Sequence, residues 1–95
     1  MKYRSRSQII TEILRVIEVN GATKMNIMYR AFLSYTQLKE YLEFLQASEM
    51  MQYVEYARTY RITEKGKKLL QAYDAIDDMM TSRNSGNAEY TVTTS

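Results

Sequence analysis

Four neighbouring polar side chains have the chemistry to contact bases and phosphates: Tyr35, Thr36, Gln37 and Lys39. Hydroxyl, amide and ammonium groups near the start of a helix are the groups that such contacts use. Leu38, Leu42 and Leu45 recur among and after them at helical spacing and predict a buried face. We therefore expect a helix over residues 34–48 whose first two turns present the four polar side chains.

An ordinary solvated helix face has the same composition, and for a helix without context it is the commoner case. Glu40 and Glu43 also lie on the outer face and argue against phosphate contact along the whole helix. The choice between a binding face and a solvated face therefore depends on the elements around this helix.

Cations elsewhere in the chain are further candidates for phosphate contact. An arginine on a hairpin can reach a phosphate or the minor groove, or it can simply keep an edge strand soluble. A basic N-terminus can form an arm that grips phosphates. The candidates are Arg4, Arg6, Lys24, Arg30, Arg58 and Arg61.

The net charge is only +2, but its distribution along the chain is uneven. Six Lys and Arg side chains against two Glu side chains give residues 1–30 a charge of +4. Residues 31–62 and residues 63–95 carry −1 each. Positive charge concentrated in one part of a chain is typical of an electrostatic footprint on phosphates.

Helix-start signals divide the chain into elements. Ser5 with Gln8, and Ser34 with Gln37, have capping-box spacing, in which each side chain satisfies a free backbone N–H. Gly21 is placed to end the first helix in a left-handed conformation. The expected order is helices over 5–20, 24–32 and 34–48, strands over 51–56 and 60–63 joined by a turn at 57–59, and a helix over 63–82.

This order predicts a mostly α fold with a small β-hairpin, the winged helix-turn-helix, with three helices, a two-stranded wing and a C-terminal helix. The fold usually places one helix in the DNA major groove, so it favours a binding face on helix 34–48. One domain, residues 1–82, holds all of these elements. Residues 83–95 lack an apolar period and are expected to be a disordered tail.

The last helix carries a second apolar seam, formed by Leu69, Tyr73, Ile76 and Met80. Its 4-3-4 spacing is that of a coiled coil, which predicts a homodimer interface. The alternative is that these residues are simply the face that this helix turns to its own domain. Leu70, beside the seam, is expected to pack on the domain core.

The composition argues against an enzyme, a cofactor and a metal site. There is no Cys and no His, and three glycines form no phosphate-binding loop. Asp74, Asp77 and Asp78 lie near one another, but we interpret them as a solvated acidic face because no Ca²⁺ loop surrounds them. No apolar run is long enough for a membrane span, so we expect a cytoplasmic, nucleoid-associated protein.

The chain resembles the small archaeal winged-helix DNA-binding proteins, a family with dimeric chromatin proteins and transcriptional regulators. The resemblance rests on Ile27-Met28-Tyr29, Leu33-Ser34-Tyr35, Gln37-Leu38, Tyr41-Leu42, Leu45, Tyr60 and Ile62-Thr63-Glu64-Lys65-Gly66. It implies double-stranded DNA as the partner of helix 34–48 and of the wing, and dimerisation through the last helix.

The sequence is best explained by a homodimeric transcriptional regulator that binds duplex DNA. An architectural chromatin protein is an alternative, but a charge of +2 is small for bulk DNA packing. A winged-helix protein-interaction module is the other alternative, and Glu40 with Glu43 on helix 34–48 is compatible with it.

Overall fold

The computed structural model describes residues 3–85, and its elements follow the predicted order. A mostly α domain with one β-hairpin is confirmed. The elements are α1 (Arg6–Ile17), α2 (Lys24–Arg30), α3 (Tyr35–Ala47), β1 (Met51–Val54), β2 (Thr59–Ile62) and α4 (Glu64–Ser85).

Each helix begins at a side chain that caps it. Both predicted capping boxes form, and in the first one Gln8 N donates to Ser5 Oγ over 3.1 Å while Ser5 N donates to Gln8 Oε1 over 2.7 Å. Thr23 caps α2, and Thr63 Oγ1 accepts from Gly66 N at the start of α4. A cap of this kind contributes about 1 kcal/mol, so the four starts are firmly encoded.

The first three helices end one to three residues earlier than the sequence predicted. Phe32 (φ 56°) follows α2 and Glu49 (φ 62°) follows α3, each in the left-handed conformation. The next N–H in each case bonds back across the last turn, to Met28 O and Leu45 O, both at 2.9 Å. These are Schellman closures with a non-glycine residue at the left-handed position.

The hairpin is antiparallel and pairs Tyr53 with Tyr60 and Val54 with Thr59. Its turn therefore covers residues 55–58, which corrects the predicted turn at 57–59. Arg58 (φ 53°) closes the turn, although no glycine marks the place. On the other side of β2, Ala22 and Tyr60 exchange backbone hydrogen bonds of 3.1 and 2.8 Å, an isolated antiparallel bridge that the sequence did not predict.

One apolar core holds these elements together, and Leu70 of α4 belongs to it as expected. Its largest fully buried side chains are Ile13, Leu14, Ile17, Ile27, Leu38, Leu45 and Leu70. At Gly66 the start of α4 lies close against the chain after α3. A Cβ at this position would overlap Met50 O and lie 2.8 Å from Ile62 Cγ1, so only glycine fits.

The last helix is longer than predicted. It continues to Ser85 rather than residue 82, so residues 83–85 are helical instead of part of a tail. The predicted disordered tail from residue 86 onward lies outside the described residues.

Candidate nucleic-acid interface

Thr36 and Glu40 lie on the outward face of α3, and we call these two residues the crest. Glu40 is two residues from both Leu38 and Leu42, and two residues correspond to about 200° around a helix. Because those leucines are 1% and 4% exposed, Glu40 points away from the core. Thr36 precedes it by one turn, and both crest residues are exposed.

Gln37 is partly used by the fold. Ser34 N donates to Gln37 Oε1 over 3.1 Å, and Gln37 N donates to Ser34 Oγ over 3.2 Å. The side chain is half-buried at one edge of α3 rather than on the crest. Its amide oxygen thus completes the capping box, and its amide nitrogen is the group that remains for a contact with a base.

A groove follows the edge of α3 that faces the hairpin, and we call it the hairpin-side groove. Lys24, Tyr35, Lys39 and Tyr60 line its first part. It continues between α2 and the hairpin, where Lys24, Tyr53, Tyr60 and Arg58 line it. The fold therefore brings together four residues proposed from the sequence, namely Lys24, Tyr35, Lys39 and Arg58.

The three cations of this groove are available to an external anion. Lys24, Lys39 and Arg58 are all exposed. None of them pairs with a carboxylate within residues 3–85, in contrast to Arg4 with Glu12, Arg15 with Asp74 and Lys67 with Glu64. Glu43 also lines the first part of the groove, so the groove is a concave surface with three cations and one carboxylate beside the crest.

Two tyrosines of the hairpin, Tyr53 and Tyr60, line the groove. The rings of Tyr53 and Tyr60 lie 4.9 Å apart across the hairpin. Burial, and secondarily the charge of Tyr53, raise the pKa of Tyr60, so its hydroxyl stays neutral at physiological pH. Tyr53 is 44% exposed and was missed as a site residue, because its partner across the hairpin depends on a register that the sequence leaves open.

The sequence predicts that Tyr29, Tyr41, Tyr53 and Tyr60 are core or half-buried packing residues, and the structure separates them. Tyr41 and Tyr60 are buried at 6% and 8% exposure, as expected. Tyr29 is 66% exposed, which corrects its assignment to the core or its margin. It lies on the outer side of α2, where the short helix buries only Ile27.

Arg6 lies on the opposite edge of α3 from the groove. Its guanidinium stands 5.2 Å from the ring centre of Tyr41 and 5.0 Å from that of Phe44. Phe44 is five residues from Lys39, or about 140° around α3. Arg6 is exposed, so this cation flanks α3 on one side while the groove cations flank it on the other.

Arg4 is half-buried and bonded to the domain, which corrects the expectation of a free phosphate-gripping arm. It pairs with Glu12 and donates to Ala31 O over 2.6 Å and to Phe32 O over 2.8 Å. Those carbonyls follow α2, where the helix leaves them without a partner of its own. Arg4 thus closes the end of α2 and joins it to α1.

Two other proposed cations are also placed away from the groove. Arg61 lies on the opposite face of the hairpin from Tyr60, in a hollow with Gly21, Glu18 and Lys67, so the fold separates it from Arg58. Arg30 is exposed in the last turn of α2, six residues and about 9 Å along the helix axis from Lys24.

The outer face of α4 is apolar and exposed. Leu69, Ile76 and Met80 of the predicted seam are 37%, 61% and 59% exposed, and Tyr73 is half-buried. Met79, which the sequence interpretation left out, is 62% exposed beside them. Arg15 of α1 pairs with Asp74 of α4, and this pairing raises the pKa of Arg15.

Two further features were searched for in the described part of the chain. No helix there is long and apolar enough to cross a membrane. Among residues 3–85, no three acidic side chains come close enough together to hold a metal ion, and Asp74 is paired with Arg15.

Comparison with known proteins places this geometry in a wider group. The profile of a family described as "Winged helix-turn-helix" matches residues 3–81. The uncharacterized protein MJ0287 of the archaeon Methanocaldococcus jannaschii is 30% identical over 80 residues, which cover 84% of this chain and 80% of that protein. Among solved structures, the crystal structure of Sso10a-2, a DNA-binding protein from Sulfolobus solfataricus, matches with a TM-score of 0.71 at 23% identity, covering 88% of this chain and 90% of that one.

Proposed function

The chain belongs to the winged helix-turn-helix family, which has archaeal members of similar size, and on that premise we propose that it binds double-stranded DNA. The observation that supports this best is the arrangement of α3. A polar crest stands between two edges that both carry cations, and three of those cations line one groove without a carboxylate partner among residues 3–85.

In the proposed complex α3 enters the major groove, which is wide enough to admit one helix. Thr36 and Glu40 then face base edges, because they lie on the outward face of α3, away from the buried leucines. Tyr35 and Gln37 lie at the entry of the helix, where side chains reach both bases and phosphates. The two edges of α3 face the two sugar-phosphate backbones.

The cations have distinct proposed roles. Lys24, Lys39 and Arg58 contact phosphates on the hairpin side, with the hairpin acting as the wing. Arg6 contacts the opposite backbone, held in place by its position over Tyr41 and Phe44. A cation over aromatic rings keeps its charge while losing freedom of movement, so it is well placed to meet a phosphate.

We further propose that the protein is a transcriptional regulator of the nucleoid rather than a packing protein. Non-specific affinity comes from phosphate neutralisation, and a net charge of +2 supplies little of it. A polar crest with a carboxylate among phosphate-binding edges favours selective sites over uniform coverage. Genome-wide mapping of bound DNA tests this, since discrete sites support a regulator and continuous coverage supports an architectural protein.

The proposed assembly is a homodimer through the outer face of α4. Burying one Ile or Met side chain stabilises a complex by roughly 1.5–3 kcal/mol, and Leu69, Ile76 and Met80 each have area left to bury. Two copies related by a two-fold axis present two α3 helices to half-sites about one turn of DNA apart, which predicts a palindromic target.

The dimer is tested by analytical ultracentrifugation of Ile76→Glu beside Gln71→Glu. The first adds a charge to the exposed apolar face, and the second adds the same charge to a polar, exposed position of α4. We expect the wild type and Gln71→Glu to be dimeric and Ile76→Glu to be monomeric. A wild type that is monomeric at tens of micromolar would contradict the dimer.

DNA binding itself is tested by fluorescence anisotropy with random-sequence duplexes over a range of salt concentrations. Lys24, Lys39 and Arg58 of each protomer neutralise three phosphates, or six in a dimer, and Arg6 raises the number to eight. The logarithm of the affinity should then fall against the logarithm of the salt concentration with a slope between roughly −5, without the Arg6 contact, and −7, with it. Absence of binding at low salt would favour the protein-interaction module instead.

A further inference from the structure

Glu40 occupies the position of α3 that would lie deepest in a DNA groove. It is exposed, and it lies opposite the leucines that fix α3 to the core. Cations lie on both sides of Glu40. Lys39 is displaced from Glu40 in one direction around α3. Phe44, which lies beneath Arg6, is displaced in the other direction. This placement directs Glu40 to the bases while the cations take the phosphates.

The carboxylate of Glu40 has no role within the fold. In the described range it accepts no hydrogen bond and forms no ion pair, unlike Glu12, Asp74 and Glu64. A carboxylate facing DNA is repelled by phosphate, so Glu40 opposes binding unless a base offers it a donor. Its presence on the crest therefore needs a base that can satisfy it.

The major groove offers a carboxylate few donors. Guanine presents two acceptors, and thymine presents an acceptor and a methyl group. Adenine has a donor, but the adjacent N7 acceptor repels the second carboxylate oxygen. The N4 amino group of cytosine is a donor without a neighbouring acceptor on that base, and it is the established partner of acidic side chains in this groove.

We propose that Glu40 recognises a cytosine through the N4 amino group and sets the base preference of the protein at one position of each half-site. The inference rests on the proposed binding of duplex DNA by α3. It adds the identity of one base pair and assigns specificity to a residue that otherwise only weakens DNA affinity.

The test is selection of preferred duplexes from a randomised library by the wild type and by Glu40→Gln, followed by affinity measurements on single duplexes. A glutamine pairs with adenine N6 and N7, so the substitution should move the preference at one position from cytosine to adenine. In the wild type, replacing that cytosine should weaken binding by a factor on the order of 10, within the range of about 5 to 150 expected for one good base contact.

Glu43→Gln is the matched control. It removes the same charge from the same helix, but Glu43 is three residues further along and turned toward the hairpin side. Both substitutions should raise the affinity for random duplexes, because each removes one repulsive charge. Only Glu40→Gln should change the base preference, and Glu43→Gln should keep the cytosine.

The outcomes separate this inference from the function on which it rests. A wild type that binds duplexes without preferring cytosine at any position, or a Glu40→Gln protein that keeps the cytosine, overturns the inference alone. A wild type that binds no duplex removes both. Circular dichroism of each variant checks that the exposed substitutions leave the fold intact.

Discussion

The two arginines of the hairpin lie on opposite faces and have different surroundings. Arg58 faces the groove with Lys24 and Tyr53, whereas Arg61 faces a hollow shared with Glu18 and Gly21. The same division extends over the whole domain. On the packed side, which comprises α1 beyond Arg6, the start of α4 and the outer face of the hairpin, Arg15 pairs with Asp74 and Lys67 pairs with Glu64, while Arg61 shares its hollow with Glu18. On the groove side, cations and the crest carboxylate have no such partners among residues 3–85.

This contrast teaches that the type of a charged residue does not reveal its use. Arg4 and Arg6 are two residues apart, yet one closes the end of α2 and the other lies over two aromatic rings at the surface. Stability and binding are therefore expected to respond to different substitutions. Changes on the packed side should lower stability, and changes on the groove side should lower DNA affinity.

The largest effect is expected from Gly66→Ala on the packed side. The added Cβ would overlap Met50 O, and a backbone carbonyl cannot move aside as a flexible side chain can. We expect the free energy of unfolding to fall by about 3 kcal/mol or more, although alanine favours a helix. Urea denaturation measures it, and an unchanged or higher midpoint would mean that α4 does not approach the chain after α3 so closely.

A smaller loss of stability is expected from Arg4→Met. The methionine keeps most of the aliphatic packing but leaves Ala31 O and Phe32 O without their charged donor. Hydrogen bonds to charged groups contribute about 1.5–3 kcal/mol each when well buried, and this partly exposed site should lose about 2 kcal/mol in total. At a temperature where the variant is folded, we expect the salt dependence of DNA binding to equal that of the wild type, because Arg4 lies on the packed side. A smaller slope of affinity against salt concentration would mean that Arg4 contacts DNA.

Tyr60 lies at the border between the two sides, and its ionisation gives a smaller effect that depends on pH. Because burial raises its pKa in the folded state, the folded protein holds the phenolic proton more tightly than the unfolded chain does. Its contribution to stability is complete below the ordinary tyrosine pKa of about 10 and is lost as the pH rises further.

We therefore expect the unfolding free energy of the wild type to fall above pH 10 or so, and to fall less in Tyr60→Phe. Tyr56→Phe is the matched control, because that residue of the turn is 93% exposed. Thermal or urea denaturation at several alkaline pH values measures the difference. Equal pH dependence in the wild type and in Tyr60→Phe would show that burial does not affect this hydroxyl.

The starts of the helices could be predicted from the sequence, but their ends could not. Ser5, Ser34 and Thr63 encode the starts through their own hydroxyl groups. The ends of α2 and α3 depend on Phe32 and Glu49 in left-handed conformations, which neither residue type favours. Those conformations are selected by the packing of whole helices, and local sequence does not specify that packing.

For the candidate site, the sequence predicted features within a single helix or strand, but not how residues of different elements lie relative to one another. The buried leucines of α3 correctly indicated that Tyr35, Thr36 and Lys39 are exposed, but Gln37 is half-buried in the capping box. The position of a cation relative to other elements depends on long-range contacts, so Arg4 and Arg61 were grouped with Arg58 although the fold separates them. Tyr53 was missed for the same reason, since its place in the groove follows from the hairpin register.

The most direct test of the account compares Arg58→Gln with Arg61→Gln in the salt dependence of duplex DNA binding. Both substitutions remove one positive charge from the same exposed hairpin, so long-range electrostatics change by the same amount. If the groove binds phosphates and the protein is a dimer, Arg58→Gln should reduce the magnitude of the slope by about two units, one per protomer, and Arg61→Gln should leave it close to that of the wild type. Equal slopes for the two variants would contradict the division between the two faces of the hairpin.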